Sequence, residues 1–303
     1  MTQPLQTEAP VASSLQRVSG AYWEVLKPRV TVLLTFLGAA AATAASGADP
    51  SQSGRVLAVS FAIFLGSGGA NGLTNYLDRS LDTRMRRTQG RAIPSGRIGN
   101  PRNALYWSLA WAAAGTALGF YMHPLVGSAA VAGICASVVF RKTEATHILG
   151  GVASAAPVAA GWLAMDPNAG MTMMVLLVFV VAWVVHHVWV IMLFYKPDYL
   201  QAGIQMFPLR SDEARVMPVF IGLATALVTL SMATGIAEGA RWGFFVMVGA
   251  FSVYNLWGTA QLGRNELTHA VRRRRFKMAS YSLLCGVFTA LVFDAIISSL
   301  ASG

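Results

Sequence analysis

The sequence predicts an all-α integral membrane protein, and three observations point to that class. Of its 303 residues, 55% are hydrophobic and only 12% are charged, whereas about a quarter of residues are charged in soluble domains. Apolar runs of about 17 to 25 residues can cross a hydrocarbon layer of roughly 30 Å as helices, and the chain has nine such stretches. Almost all lysines and arginines fall on one side of these stretches.

The nine predicted transmembrane helices follow one another with short connections. Pro50, Pro167 and Pro197 mark helix boundaries, and a turn at His123-Pro124 separates the third run from the fourth. Residues 1–26 form a short polar tail that fits neither a signal peptide nor a transit peptide, and residues 27–303 form one membrane domain. The runs extend approximately over 30–45, 56–77, 104–122, 125–140, 148–165, 171–195, 216–236, 242–262 and 278–299.

The distribution of basic residues predicts the orientation of the bundle. With the N-terminus inside, 21 of the 23 lysines and arginines lie in inner segments, and only Arg55 and Arg241 lie outside. The positive-inside rule therefore predicts an N-in, C-out topology in the cytoplasmic membrane of a bacterium or archaeon. Because the net charge of +10 is spread over loops at one face, with no basic domain behind it, nucleic-acid binding is excluded and membrane lipids are the expected surroundings.

A pair of aspartates follows the second run, at its inner end. Asp78 and Asp82 stand four residues apart, so a helix would present both carboxylates on one face. Two anions side by side at a membrane interface repel each other and are costly to desolvate. A divalent cation relieves both problems, and Mg²⁺ suits one or two carboxylates with phosphate oxygens and water as its other ligands. The alternative is simple pairing of these aspartates with Arg79, Arg86 or Arg87.

The surroundings of this pair favour a metal and diphosphate site. Asn75 adds an amide oxygen, and guanidinium groups bind phosphate oxygens in a bidentate manner. The arginines that we predict to bind a diphosphate are Arg86, Arg87 and Arg91.

Two further inner loops carry candidate residues. Lys196 and Asp198 offer a cation and an acid, and a loop facing the first cluster could supply the ligand for a second Mg²⁺ across a diphosphate. Arg141 and Lys142 are candidates for phosphate contacts, although a role in setting the topology explains them equally well.

His186 and His187 lie within the apolar sixth run. Imidazoles in membrane helices usually face a cavity or a polar partner. One interpretation is that a neighbouring helix satisfies them; the other is that one of them contacts a large aromatic or metal-containing acceptor as a hydrogen-bond donor, base or iron ligand.

Four segments carry a resemblance to a known family: 75–94 with both aspartates, 150–162, 183–189 with His187 in the family's histidine position, and 196–206. They resemble the UbiA superfamily of intramembrane prenyltransferases over about residues 20 to 300. Within that superfamily the chain looks most like the heme-farnesylating branch, the protoheme IX farnesyltransferases. The motif with Asp78 and Asp82 is specific for the superfamily, and the loop that begins with Asp198 and Tyr199 is specific for the branch.

The resemblance implies a UbiA-type fold and a Mg²⁺-dependent reaction. A farnesyl group would pass from farnesyl diphosphate to a vinyl group of heme b, giving heme O for a downstream heme A synthase or terminal oxidase. It implies Mg²⁺ held by Asp78, Asp82 and Asp198, and an acceptor oriented by His187. Arg87 and Arg91 would share the charge of the departing diphosphate.

The chain departs from the family's pattern at several positions, including Thr74 and Ser80, where the family usually has Asn and an acid. A UbiA-type enzyme acting on a quinone precursor or another aromatic acceptor, or a UbiA-type terpene cyclase, would share the aspartate cluster. A transporter would instead place its ionisable residues near mid-membrane at broken helices.

Overall fold

The computed structural model describes residues 11–139 and 143–302, except the side chains of residues 11–16, 213 and 302. This part of the chain is all-helical and contains no strand. Short 3₁₀ helices at Pro50–Gln52 and Gln261–Gly263 join longer elements. The α-helices are α1 Val11–Val25, α2 Pro28–Ala45, α3 Ser53–Leu77, α4 Arg79–Asp82, α5 Pro101–Met122, α6 Pro124–Val138, α7 Thr146–Met165, α8 Met171–Phe194, α9 Lys196–Gln201, α10 Glu213–Glu238, α11 Trp242–Ala260 and α12 His269–Ser302.

Within the described residues, the nine predicted apolar runs coincide with α2, α3, α5, α6, α7, α8, α10, α11 and α12, and the last residue of the run 125–140 lies outside the described part. By length and composition, seven helices in the described part of the chain can cross a membrane, namely α2, α3, α7, α8, α10, α11 and α12. Helix α6 is apolar but has only 15 residues. The chain is therefore an integral membrane protein, while the nine crossings and their orientation stay predictions.

Two helices extend beyond the predicted pattern at its ends. Helix α1 occupies part of the predicted polar tail, because Ala21 and Val25 are buried against Ile93, Ile98 and Ala104. Helix α12 begins nine residues before the predicted run, so the basic stretch 272–275 lies in its first turns and not in a loop. Hydropathy marks only the membrane-crossing part of a helix, and arginine is a good helix former outside it.

Small residues let the central helices approach closely. A Cβ at Gly69 on α3 would lie 2.6 Å from the Cα atom of Ala112 on α5. A Cβ at Gly161 on α7 would overlap the carbonyl group of Gly38 on α2. This close packing holds α2, α3, α5 and α7 as one rigid group and fixes the positions of the loops at their ends.

Candidate functional site

The two aspartates of the predicted motif lie on consecutive helical turns. Helix α3 ends at Leu77, where the predicted run ends, and Asp78 is its C-cap. The backbone N–H of Asp82 donates to the carbonyl oxygen of Asp78 at 2.8 Å, so the helical direction continues through α4. Both residues are buried, with 9% of Asp78 and 4% of Asp82 exposed.

Asp82 is paired with Arg91. The guanidinium Nη1 of Arg91 lies 2.8 Å from Oδ2 of Asp82 and 3.5 Å from Oδ1 of Asn75. Nδ2 of Asn75 in turn donates to the carbonyl oxygen of Val25 at 2.7 Å. Arg79 turns away to the carbonyl oxygen and ring of Tyr76. The cation beside Asp82 is therefore supplied by the loop after α4, and not by Arg79.

The loop around α9 packs against this first loop, as the predicted two-loop arrangement requires. Oδ2 of Asp198 accepts a hydrogen bond from the backbone N–H of Arg87 at 3.1 Å. The Arg87 guanidinium lies 4.8 Å from the centroid of the Tyr195 ring, a cation–π contact. Met85 of the first loop and Met206 of the second belong to one buried apolar cluster between the loops.

Tyr199, on the same loop, lies close enough to Arg87 for the two side chains to interact electrostatically. Burial raises the pKa of Tyr199, and the nearby charges of Arg87 and Arg91 oppose that rise. The phenol is therefore neutral at physiological pH. Arg87 is thus held by two residues of the neighbouring loop: the Asp198 carboxylate accepts from its backbone N–H, and the Tyr195 ring faces its guanidinium group.

A polar cavity of about 600 Å³ lies beside Asp82 and is open on one side. Four cationic side chains and two acidic ones line it, so its net charge is positive and it suits a polyanion. The charged lining residues are Glu24, Lys27, Arg29, Asp82, Arg87 and Arg91.

Lys27 is a lining residue that the sequence analysis used only for topology. It has left-handed backbone angles, φ 50° and ψ 63°, immediately before Pro28 starts α2. This geometry turns its chain inward, and Nζ donates to Oγ1 of Thr74 at 2.9 Å. In the sequence, only the basic stretch Lys27-Pro28-Arg29 before the first apolar run could have indicated that Lys27 lies at the site.

Glu24, which the sequence analysis did not identify either, connects α1 to the loop that carries Arg91. Its Oε1 accepts from the backbone N–H of Ala92 at 3.1 Å, and its carboxylate forms an ion pair with Arg97 at 2.7 Å. Because Ala92 directly follows Arg91, this contact fixes the backbone next to the cation that pairs with Asp82.

An apolar cleft adjoins the polar cavity. Helices α2, α3, α5, α6 and α7 form its walls, and its empty space, including the part that opens to the surroundings, is about 750 Å³. Val30 lines both spaces, and Thr74 in the cleft wall directly precedes Asn75 in the cavity wall. The hydroxyl groups of Ser137 and Ser154 bond to carbonyl oxygens of their own helices. The cleft therefore offers a hydrocarbon-like channel that leads away from the cationic cavity.

The predicted site residues fall into three groups. Asn75, Asp82, Arg87 and Arg91 line the polar cavity. Asp78, Lys196 and Asp198 lie on the adjoining loops, where Lys196 is the first residue of α9. Arg86 is exposed on the loop after α4, and Lys142, like Arg141, lies outside the described residues.

His187 lies apart from these residues, between α8 and α12. Its ring stacks on Trp183 with centroids 4.7 Å apart, and Nδ1 lies 3.0 Å from Oγ of Ser280. Neither the polar cavity nor the apolar cleft is lined by His187. Its neighbour His186 is fully buried between Phe220 and Phe276, and neither ring nitrogen has a hydrogen-bond partner among the described residues.

The donor set can accommodate Mg²⁺ only together with a ligand. Among residues 11–139 and 143–302, no three His, Cys, Asp or Glu side chains are grouped closely enough to enclose an ion. Mg²⁺ is commonly held by one or two carboxylates and completes its shell with phosphate oxygens and water. Asp78 and Asp82, two low-exposure carboxylates on consecutive turns, match that requirement.

Comparison with known proteins identifies the family. Residues 32–281 match the model of the UbiA prenyltransferase family. The protoheme IX farnesyltransferase of Acidiphilium cryptum (strain JF-5) is 29% identical over 94% of this chain and 93% of its own length. That of Salinispora tropica is 31% identical over 93% of this chain and 91% of its own.

Solved structures have the same fold. A structure from work on digeranylgeranylglyceryl phosphate synthase in membranes has a TM-score of 0.73 at 16% identity, covering 94% of this chain and 99% of that one. A UbiA homolog from Archaeoglobus fulgidus, bound to GPP and Mg²⁺, has a TM-score of 0.66 at 13% identity, covering 89% and 99%. With the helical bundle, the aspartate motif and this match over most of its length, the chain belongs to the UbiA prenyltransferase family.

Proposed function

We propose that this prenyltransferase transfers a farnesyl group from farnesyl diphosphate to a vinyl group of heme b, giving heme O. The observation that carries the proposal is the continuity between a cationic cavity and an apolar cleft, since a prenyl diphosphate has one end suited to each. Relatives named protoheme IX farnesyltransferase, aligned over more than 90% of both chains, support heme as the acceptor.

The diphosphate would lie in the polar cavity. Arg87, held by the α9 loop, and Arg91, held beside Asp82, present fixed guanidinium groups to its oxygens. Lys27, at the junction with the cleft, would meet the oxygen that bridges to the prenyl chain. Asn75, Arg86, Lys142 and Lys196 are further diphosphate contacts in this proposal.

Asp78 and Asp82 would hold one Mg²⁺ when donor is bound, and Asp198 on the facing loop would hold a second across the diphosphate. Ions held in this way would supply Lewis-acid stabilisation of the charge that develops on the departing diphosphate. The A. fulgidus homolog bound to GPP and Mg²⁺ supports a divalent ion in this fold. Arg91, which forms an ion pair with Asp82, would stand beside that ion and the diphosphate.

The reaction breaks the bond between C1 of the donor and its bridging oxygen, and the electron pair leaves with the diphosphate. Cationic side chains around the cavity stabilise the new negative charge more than the ground state, which lowers the barrier. The terminal vinyl carbon of heme attacks C1, and water adds to the inner vinyl carbon and loses one proton. The apolar walls around Val30 and Thr74 keep other water from the allylic cation.

His187 would orient the porphyrin or contact its iron. Its Nδ1 lies within hydrogen-bond distance of Ser280, so Nε2 is the atom that would face the acceptor.

The active site would face the cytoplasm in a bundle of nine crossing helices with its N-terminus inside. The loops that carry Arg87, Arg91 and Lys196 hold part of the basic excess that the positive-inside rule assigns to the cytoplasmic side.

Purified protein in detergent, given heme b, farnesyl diphosphate and Mg²⁺, tests the proposal by mass spectrometry of the porphyrin. We expect farnesylated, hydrated heme from the wild type and from Asp49→Asn, which changes an exposed carboxylate remote from the site. Asp82→Asn should give little product. Diphosphate release with a quinone precursor but not with heme would reject the acceptor and keep the donor site.

A further inference from the structure

The apolar cleft has a defined length along α3. Along α3, the residues that line the cleft extend from Thr74, next to the polar cavity, to Ala62. These positions are 12 residues apart in a continuous helix, which corresponds to about 18 Å at a rise of 1.5 Å per residue.

The length of an isoprenoid chain can be compared with this distance. Each isoprene unit adds four carbon–carbon bonds of about 1.5 Å, so an extended zigzag gains about 5 Å per unit. Three units then span about 15 Å and four units about 20 Å on the same bond lengths. The distance from Thr74 to Ala62 accommodates three units but not four.

Gly66 keeps the lower part of the cleft open. It lies eight residues from Thr74, about 12 Å down the helix, and lines the cleft. A Cβ built on Gly66 meets no heavy atom within 4 Å, whereas one on Gly115 opposite would collide with the backbone of Gly66. Gly115 thus serves helix packing, while the space beyond Gly66 belongs to the cleft.

We propose that Gly66 sets the length of the isoprenoid donor, by leaving room for the third unit below it and before Ala62. This inference rests on the proposed prenyl diphosphate site but not on the identity of the acceptor. A large side chain at position 66 would shorten the usable cleft to about 12 Å, which is enough for two units. The donor specificity would then shift from farnesyl to geranyl diphosphate.

The test compares Gly66→Ala, Gly66→Leu and Gly66→Phe with the wild type. Gly222 supplies a matched control. It is also a glycine within a helix, α10, and a Cβ built on it meets no heavy atom within 4 Å, but it is exposed and does not line the cleft. Binding of non-reactive thiolodiphosphates with two, three and four isoprene units is measured by thermal shift in detergent. Prenyl transfer to heme b is measured in parallel with the corresponding diphosphates.

For Gly66→Leu and Gly66→Phe, we expect the binding preference for three units over two to fall by about tenfold or more, because five carbons lose their buried site. Gly66→Ala should change the preference less, and Gly222→Leu should keep it. An unchanged preference in the Leu and Phe variants overturns the inference, as does equal wild-type binding of all three lengths. If the Leu and Phe variants do not fold, an unchanged preference in Gly66→Ala and Gly66→Val overturns it.

The same measurements separate this inference from the proposed function. A wild type that prefers three units and transfers none of them to heme b rejects the acceptor, and the shift at position 66 still supports the cleft assignment.

Discussion

Lys27→Met removes one ammonium group at the junction of the cavity and the cleft and keeps most of the side-chain stem. In the structure, Nζ lies 2.9 Å from Oγ1 of Thr74, and Lys27 lines the cavity that also contains Arg87 and Arg91. If the bridging oxygen of the donor lies at this junction, Lys27 meets the atom on which negative charge builds as the C–O bond breaks.

The expected loss follows from the strength of one charge-assisted hydrogen bond. Such bonds contribute about 1.5–3 kcal/mol, which corresponds to about a 10- to 150-fold decrease in kcat/KM. Because the charge on the bridging oxygen increases in the transition state, most of the loss should fall on kcat and little on KM. Thr74→Val keeps the ammonium group and removes only its anchor, so its loss should stay near fivefold, about 1 kcal/mol.

The assay is diphosphate release with saturating acceptor, at several concentrations of farnesyl diphosphate. Arg215→Met is the charge control, since Arg215 is exposed in the first turn of α10 and lines neither cavity nor cleft. A Lys27→Met variant within threefold of wild type in kcat/KM would refute the placement of the bridging oxygen. A loss that appeared only in KM would show that Lys27 binds donor and transition state equally.

Three other substitutions have defined outcomes. Asp82→Asn should lower kcat by about 10²- to 10³-fold, measured by diphosphate release, because the developing charge loses its carboxylate-held ion; near-normal turnover would contradict this. Tyr195→Leu should raise KM for the donor by about two- to thirtyfold, since the cation–π contact with Arg87 contributes about 0.5–2 kcal/mol, whereas Tyr195→Phe should not; equal effects would rule out the ring contact. Gly161→Ala should destabilise the bundle by about 1–3 kcal/mol and lower its thermal midpoint in detergent, whereas Gly222→Ala should not; equal midpoints would disprove the close approach.

The positions of the long helices could be predicted well from the sequence, because the hydropathy of a segment depends only on its own residues. The predicted run 56–77 ends at the residue where α3 ends, Leu77. The aspartate motif that follows it lies beside a polar cavity, and the loop with Asp198 packs against it. Both results follow from spacing along the chain and from the rule that polar loops gather outside the hydrocarbon.

The rest of the site depends on contacts between residues far apart in sequence. Glu24 reaches Ala92 across 68 positions, and Lys27 reaches Thr74 across 47. The left-handed backbone at Lys27 turns the side chain inward, and no local pattern signals that turn. From the sequence alone, Lys27 is therefore indistinguishable from the other basic residues that set the topology, and only the packing of the helices shows that it lies at the site.

The basic run at the start of α12 shows the same limit. The sequence analysis used this run only as part of the basic excess that predicts the orientation of the bundle. In the structure, Arg273 donates to the hydroxyl oxygen of Tyr195 at 2.9 Å and lies 5.3 Å from the centroid of its ring. Because the same ring also contacts Arg87, one arginine of the run reaches the edge of the site.

The most direct test of this account is an experimental structure of the protein with Mg²⁺ and farnesyl thiolodiphosphate. We predict that the diphosphate lies between Lys27, Arg87 and Arg91, with Mg²⁺ on Asp78 and Asp82. The hydrocarbon chain should follow α3 past Gly66. A chain that instead runs between α8 and α12, or a diphosphate bound away from Arg91, would contradict the central claim that one cavity and one cleft hold the two ends of the donor.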